Sequence, residues 1–261
     1  MEGELIELKD GVLRFLLSGT TPEFANSIRR TILQGIPIMA VNEIEVTAND
    51  AVVSDEILAH RLGQLPIRTS DGYLLPSECD CREGRCSNCS VTFDVSEEGP
   101  KVVRAKDLKS SDPEAIFVQE EAPIVRLEEG QKIELTAIAR LGFGKEHANW
   151  QPAIASYKYM PVINIDQEAR DDWTKCIDAC PEDILKVENG KLEAIDVKEC
   201  TLCEACTEAC PDAIEVKGDS TKFIFRIEST GSLTPEEAVN KALEVMRKKC
   251  KDFSEQIERF E

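Results

Sequence analysis

Apolar residues recur along this chain with two different periods. Leu5–Leu8 and Val12–Leu17 are short β-prone runs parted by Lys9-Asp10-Gly11, which reads as two strands joined by a turn. Thr21 and Pro22 then have the form of a helix start, a capping hydroxyl followed by proline at the first helical position. Phe24, Ile28 and Ile32 form one stripe on that helix, Leu33 widens it, and Gly35 with Pro37 ends it. Val41–Val53 alternates as a strand, and Asp55 opens a short helix through Ile57, Leu58, Arg61 and Leu62 that stops at Gly63 and Pro66. From Tyr73 to Pro161 strands and turns dominate. Val91–Val95, Lys101–Arg104, Ile124–Leu127 and Gln131–Leu141 are the predicted strands, the last with Ile133, Leu135 and Ala137 on one face. Lys222–Glu228 alternates again, with Phe223, Phe225 and Ile227 to one side.

The chain closes on a helix. Thr234-Pro235-Glu236-Glu237 is a capping box with proline at the first helical position. Val239, Ala242, Leu243, Met246, Cys250, Phe253, Ile257 and Phe260 carry an apolar stripe onward for roughly 39 Å at 1.5 Å per residue. Terminal turns normally fray, so a stripe kept to the last turn needs something to lie against. Two surfaces would serve, the chain's own domain or a partner helix.

Composition narrows the function classes. The 261 residues suffice for two domains, or for one domain with insertions. The 31 Lys+Arg against 50 Asp+Glu leave a net charge of −19, a surface that repels phosphates and disfavours strong direct binding of DNA, RNA or anionic lipid. Residues 166–217 alone contribute −9, from 6 basic and 15 acidic side chains. No apolar run approaches the ~18 residues of a membrane span. The first twenty residues lack a basic start with an apolar core, so a cytoplasmic, soluble protein is expected. The two histidines, His60 and His147, have no cysteine or serine near them in sequence, and no aspartate triad for paired magnesium ions occurs, so no catalytic residue is assigned. Gly142-Phe143-Gly144-Lys145 lacks the spacing of a phosphate loop and reads as a strand-end turn.

Ten of the eleven cysteines fall in two groups, a metal-ligand pattern in a chain without an export signal. Cys200-x2-Cys203-x2-Cys206-x3-Cys210-Pro211 is the ligand run of bacterial-type ferredoxins. It has a degenerate copy 30 residues earlier. Cys176-x3-Cys180-Pro181 matches Cys206-x3-Cys210-Pro211, Ile184 matches Ile214, and Arg170 and Trp173 stand where Cys200 and Cys203 would be. In two-cluster ferredoxins the fourth cysteine of each run crosses to the other cluster. Cluster one then retains only Cys176 and Cys210 and cannot assemble. Cluster two has Cys200, Cys203 and Cys206 with Cys180 crossing over, which predicts one iron–sulfur cluster, four-iron or, as a variant, three-iron. A zinc site or a disulfide knot is the plainer alternative for the same run. Cys176 and Cys210 are left beside each other, either as a disulfide or as buried thiols. Cys79-x-Cys81-x4-Cys86-x2-Cys89 puts four thiols in a polar loop with Gly84 and Asn88, open to a structural zinc, to disulfides or to thiols without a metal.

Three segments carry a family resemblance. Thr20-Thr21-Pro22-Glu23-Phe24-Ala25-Asn26-Ser27-Ile28-Arg29-Arg30, the run from Asp55 to Ile67 and His147-Ala148-Asn149-Trp150-Gln151-Pro152-Ala153 are the segments concerned. Together they resemble the D-type subunits of archaeal DNA-directed RNA polymerase, relatives of the bacterial alpha amino-terminal domain and the eukaryotic third-largest polymerase component. The resemblance implies an α+β fold. A discontinuous dimerisation domain (1–39 and 218–261) would receive a mostly β inserted domain (40–165, with the cysteine loop 79–89) and a ferredoxin-like iron–sulfur module (166–217). It implies a heterodimer with the small L-type subunit through Phe24, Ile28, Ile32, Val239, Leu243, Met246, Phe253 and Ile257. On that platform the two large catalytic subunits and other small polymerase subunits would assemble. Eukaryotic relatives hold zinc where Cys79–Cys89 lies, here with one more residue between the second and third cysteines. An electron-transfer role would account for residues 166–217 and leave the closing helix without a purpose.

Overall fold

In the computed structural model, residues 1–69, 71–81, 85–170 and 172–259 are described. Gly84 of the cysteine loop and Phe260, the last residue of the terminal stripe, lie outside them. The elements follow one another as β1 (Glu2–Lys9), β2 (Val12–Ser18), α1 (Pro22–Gln34), β3 (Pro37–Asn49), α2 (Asp55–Gly63), β4 (Ile67–Arg68), β5 (Ser90–Glu98), β6 (Lys101–Arg104), β7 (Lys109–Ser110), β8 (Ile116–Phe117), β9 (Pro123–Leu127) and β10 (Lys132–Phe143). The second half continues with β11 (Ala153–Ile165), α3 (Thr174–Asp178), β12 (Leu185–Glu188), β13 (Lys191–Ala194), α4 (Ala205–Ala209), β14 (Ile214–Ser229) and α5 (Pro235–Glu258). The fold is mixed α and β, with sheets and few helices.

The chain forms two compact units. The first comprises residues 1–9, 13–27 and 156–226. Its sheet has the order β1-β2-β14-β11. Asp10 and Gly11, which join β1 to β2, both take positive φ (51° and 77°), the backbone of a tight hairpin turn. Phe15 of β2 stacks on Phe225 of β14 with ring centroids 5.0 Å apart, and Tyr157 of β11 meets Phe223 edge-on at 5.5 Å. The cysteine-rich segment has its own core of Trp173, Cys176, Ile184, Leu185, Leu192, Cys200, Cys206, Cys210, Ile214 and Val216. The sequence repeat is visible in its folding. α3 and α4 occupy corresponding places, and Ile184 and Ile214 are both buried. The β12–β13 hairpin, which periodicity left unassigned, turns at Asn189-Gly190 with φ of 52° and 78°.

The second unit holds residues 10–12, 28–155 and 227–261. Its main sheet runs β3-β10-β5-β7, with two register shifts between β10 and β3, at Glu134/Leu135 and Ile138/Ala139, that bend the long ladder. Ribbons β4-β8 and β6-β9 complete the strands. Met39, Leu58, Leu62, Phe93, Phe117, Ile133 and Leu127 are among the residues of one continuous core. α2 is capped at Ser54, one residue before the Asp55 expected from sequence, since Ser54 keeps extended φ/ψ while Asp55 is already helical. α5 opens as its capping box predicts, with the Thr234 hydroxyl accepting from the Glu237 N–H and the Glu237 carboxylate accepting from the Thr234 N–H at 2.7 Å. Gly142 and Gly144 are packing glycines, one against the Trp150 indole and the other against the Leu33 backbone, consistent with a strand-end turn.

Two strands begin earlier than the alternation suggested. β3 runs from Pro37, directly behind α1, to Asn49 and so stops short of the expected Val53, and β14 begins at Ile214 inside the cysteine segment. The boundaries read at 39/40 and 217/218 therefore fall within continuous strands. Each strand crosses its position in extended backbone, although the 217–222 stretch of β14 is wholly polar and contains Gly218.

Gly142→Ala is expected to destabilise the second unit by about 1–3 kcal/mol, since the added Cβ overlaps the buried Trp150 ring. A thermal melt followed by tryptophan fluorescence measures it. An unchanged transition would mean that the ring has room to move.

Candidate metal centres

The first cysteine group lies between β4 and β5. A turn closed by the Cys89 and Ser90 N–H groups, both donating to the Cys86 carbonyl at 3.0 and 2.9 Å, sets Cys86 and Cys89 on one side. Ser90 then starts β5, and Cys89 just before it is completely buried. Next to the turn, Arg85 forks onto Glu43 and Glu45 of β3 at 2.5 and 2.6 Å. The sulfurs of Cys79 and Cys86 are 3.5 Å apart, those of Cys81 and Cys89 3.4 Å, and those of Cys86 and Cys89 3.6 Å. All four lie within 4.8 Å of one another. A tetrahedron of sulfurs at about 2.3 Å from a central zinc has edges of about 3.8 Å. The set can therefore hold one metal ion. These separations are far longer than a disulfide bond, so the disulfide alternative for the loop is not what the structure holds. Burial pushes the Cys89 thiol up to about 12. Without a cation the Cys89 thiol keeps its proton, and metal uptake must release it.

The second group is arranged differently. Cys180 follows α3, Cys200 and Cys203 lie in the loop before α4, and Cys206 is on α4. All four line one small cavity, together with Ile163, Ile184 and Val216. Leu202 and Glu204, which flank Cys203, adopt left-handed φ of 58° and 61°. For residues with a Cβ this conformation costs about 1–2 kcal/mol and persists where the surroundings impose it. Here it bends the loop along the cavity, with Cys200 and Cys206 buried and Cys203 lining it while remaining exposed. Burial raises the Cys206 thiol, and the neighbouring Cys180 and Cys200 sulfurs raise it further. Besides the four thiols and the apolar residues, Glu182 and Glu204 line the cavity.

The degenerate half of the repeat has no such space. Trp173 is buried in the module core where the copy has the exposed Cys203. Arg170 replaces Cys200, pairs with the Asp212 carboxylate and donates to the Cys210 sulfur at 3.5 Å. Cys176 and Cys210 are joined as a disulfide with Cα atoms 5.9 Å apart, across 34 residues of chain. Contacts that sequence reasoning did not single out tie the ligand loop to the sheet. Lys158 donates to the Cys200 carbonyl at 2.8 Å, Arg14 pairs with Glu199 at 2.5 Å, and Lys198 pairs with Glu4 at 2.7 Å. Each is a lone charge in an ordinary strand or loop, and no spacing rule marks it.

Of the residues expected to meet a partner, Ile28 and Ile32 are 4% and 0% exposed. Their stripe faces the chain's own core, so of the three α1 residues expected at the interface only the half-buried Phe24 is accessible. On α5 the first turns are anchored by Pro235, Ala238 and Ala242, Val239 and Met246 are half-buried, and Leu243, Phe253 and Ile257 are exposed. His147 caps the short turn Ala148–Trp150, its Nδ1 accepting from the Asn149 N–H. No helix among the described residues is long and apolar enough to cross a membrane.

Residues 14–250 match the RNA polymerase Rpb3/Rpb11 dimerisation domain. The chain is 41% identical over 260 residues to the DNA-directed RNA polymerase subunit Rpo3 of Methanosphaera stadtmanae, covering 96% of each chain. It is 38% identical over 263 residues to Rpo3 of Archaeoglobus fulgidus, covering 100% of this chain and 99% of the relative. The DNA-directed RNA polymerase II subunit rpb3 of Dictyostelium discoideum is 32% identical over 286 residues, with 98% and 94% covered. With a family match across most of its length and near-complete coverage by these relatives, the chain belongs to the Rpb3/Rpb11 dimerisation family and, within it, to the archaeal Rpo3 (D-type) family of RNA polymerase subunits.

Proposed function

We propose that the chain is a non-catalytic assembly subunit of a DNA-directed RNA polymerase. It pairs with a small L-type subunit and provides the platform on which the two large catalytic subunits, with other small subunits, assemble. The observation that carries this reading is α5. Its capped start is anchored, but every described residue from Arg247 onward is exposed, and the stripe it bears includes Phe253 at 64% and Ile257 at 48% exposure. Fully burying side chains of this size contributes about 1.5–3 kcal/mol each. A second helix laid along Leu243, Met246, Phe253 and Ile257 would supply that burial. The names of the relatives agree with it. In this reading residues 1–39 and 218–261 serve dimerisation, 40–165 are the inserted β-rich part, and 166–217 are the ferredoxin-like module.

The four sulfurs of Cys79, Cys81, Cys86 and Cys89 suit a closed, structural zinc. Cys180, Cys200, Cys203 and Cys206 would hold one iron–sulfur cluster, four-iron or three-iron. When bound, the cluster supplies a covalent link between the two halves of the repeat and a capacity for one-electron change. The chain's own residues hold the ligand loop. Lys158, Arg14 and Lys198 fix the segment Lys198–Cys200 against strands β11, β2 and β1, which favours a structural or regulatory role for the group.

The test of the assembly role is an anaerobic affinity purification of the tagged chain from its native cells, with stoichiometry by mass spectrometry. A small L-type subunit and both large polymerase subunits should be recovered at about one copy each. Recovery of oxidoreductase subunits without polymerase would reject the proposal. Phe253→Glu with Ile257→Glu should abolish recovery of the small subunit while leaving the melting of the isolated chain unchanged, because both side chains are exposed in it.

Two metal analyses follow from the cysteine geometry. Cys203→Ser should lose most of the bound iron and its visible absorbance while keeping zinc, and Cys89→Ser should do the reverse. Zinc occupancy should fall as the pH is lowered, since protons compete for the thiolates. A chain that keeps its full iron content as Cys203→Ser would exclude that residue as a ligand.

A further inference from the structure

Helix α2 and the β6–β9 ribbon border a groove of about 620 Å³ that neither the metal centres nor α5 uses. Its exposed apolar surface comes from Val102, 38% exposed, and the exposed Pro123, while Leu65, Ile124 and Val125 line it as buried residues. Its rim is basic. His60, Arg61 and Arg126 line it, and no carboxylate does. On a chain carrying 50 acidic residues and a net charge of −19, this is a local reversal of sign.

The two guanidinium groups differ in how they are held. Arg61 donates to the Ile124 carbonyl at 2.5 Å, which fixes it along the groove. Arg126 stands opposite Val102 in the β6–β9 ladder and rests on Glu128 at 2.9 Å. Both members of that pair are largely exposed, at 75% and 62%. Exposed pairs are worth about 0–1 kcal/mol, so Arg126 can exchange Glu128 for another carboxylate at little cost. Arginines beside an apolar wall are among the side chains that most often anchor protein contacts.

We propose that this groove binds an acidic peptide segment of a partner protein. Its carboxylates would meet Arg61 and Arg126, and a leucine- or isoleucine-sized side chain would sit against Val102 and Pro123. A nucleic acid would also meet the arginines, but it would bring its phosphates to an acidic chain and leave Val102 and its neighbours without an apolar partner. This site is independent of the polymerase reading above, since it requires neither α5 nor any metal.

The experiment uses the full chain and fluorescence anisotropy at low salt. The probe is a short fluorescein-labelled peptide alternating glutamate pairs with leucine. Its comparisons are the same peptide with lysine for every glutamate, and a labelled oligothymidylate. The glutamate peptide should bind saturably. Arg126→Glu should weaken it about tenfold or more and should admit the lysine peptide, which the unmodified chain does not bind. Val102→Ser should weaken the glutamate peptide without changing its salt dependence. Circular dichroism shows whether the variants remain folded, and both positions are exposed enough to tolerate the change. No saturable binding by the unmodified chain would overturn the proposal, as would binding indifferent to both substitutions. Oligothymidylate binding more tightly than the peptide and losing affinity in Arg126→Glu would overturn it in favour of a phosphate site.

Discussion

Strand β14 is the element on which most of the first unit depends. Its 16 residues begin in the core of the cysteine segment, with Ile214 and Val216, and continue into the sheet between β2 and β11, with Phe223, Phe225 and Ile227 buried. An extended backbone that is part of a sheet does not turn about one residue as a linker can. The cysteine segment is therefore carried on the sheet rather than tethered to it. Lys158, Arg14 and Lys198 reinforce the same attachment from the side of the ligand loop.

The two groups of thiols are brought together in different ways. In the loop 79–89 a tight turn and a strand start bring four sulfurs nearly into contact, a spacing fit for one ion. Around Cys206, left-handed residues between the cysteines hold the sulfurs on the wall of a cavity, and a fourth arrives from another part of the chain. In the degenerate half of the repeat a buried indole and an arginine–carboxylate pair stand where the copy has Cys203 and Cys200, and a disulfide joins Cys176 to Cys210.

Charge is unevenly distributed in the same spirit. The acidic excess is concentrated in residues 166–217, whereas the groove beside α2 is rimmed by arginine and histidine. Open apolar surface on the far turns of α5 and at Val102 is likewise local. Surfaces of this kind, small, separate and different in chemistry, suit the assembly role proposed above.

Sequence alone settled the features that depend on neighbours a few residues apart. The capping box of α5, the hairpin turn at Asp10-Gly11, the alternation of Phe223, Phe225 and Ile227 and the thirty-residue cysteine repeat are all patterns of spacing, and each reappears in the folded backbone. Only the tertiary structure decided what each pattern faces. Helical spacing put Phe24, Ile28 and Ile32 on one side of α1, but not the last two in the chain's own core. Composition could not show that β3 and β14 run on past the expected boundaries, since an extended backbone needs no particular residue to continue. The ion pairs that hold the ligand loop, and the meeting of α2 with β9, join residues tens to hundreds of positions apart. Such closures are chosen by the packing of whole elements, and no spacing within one element records them.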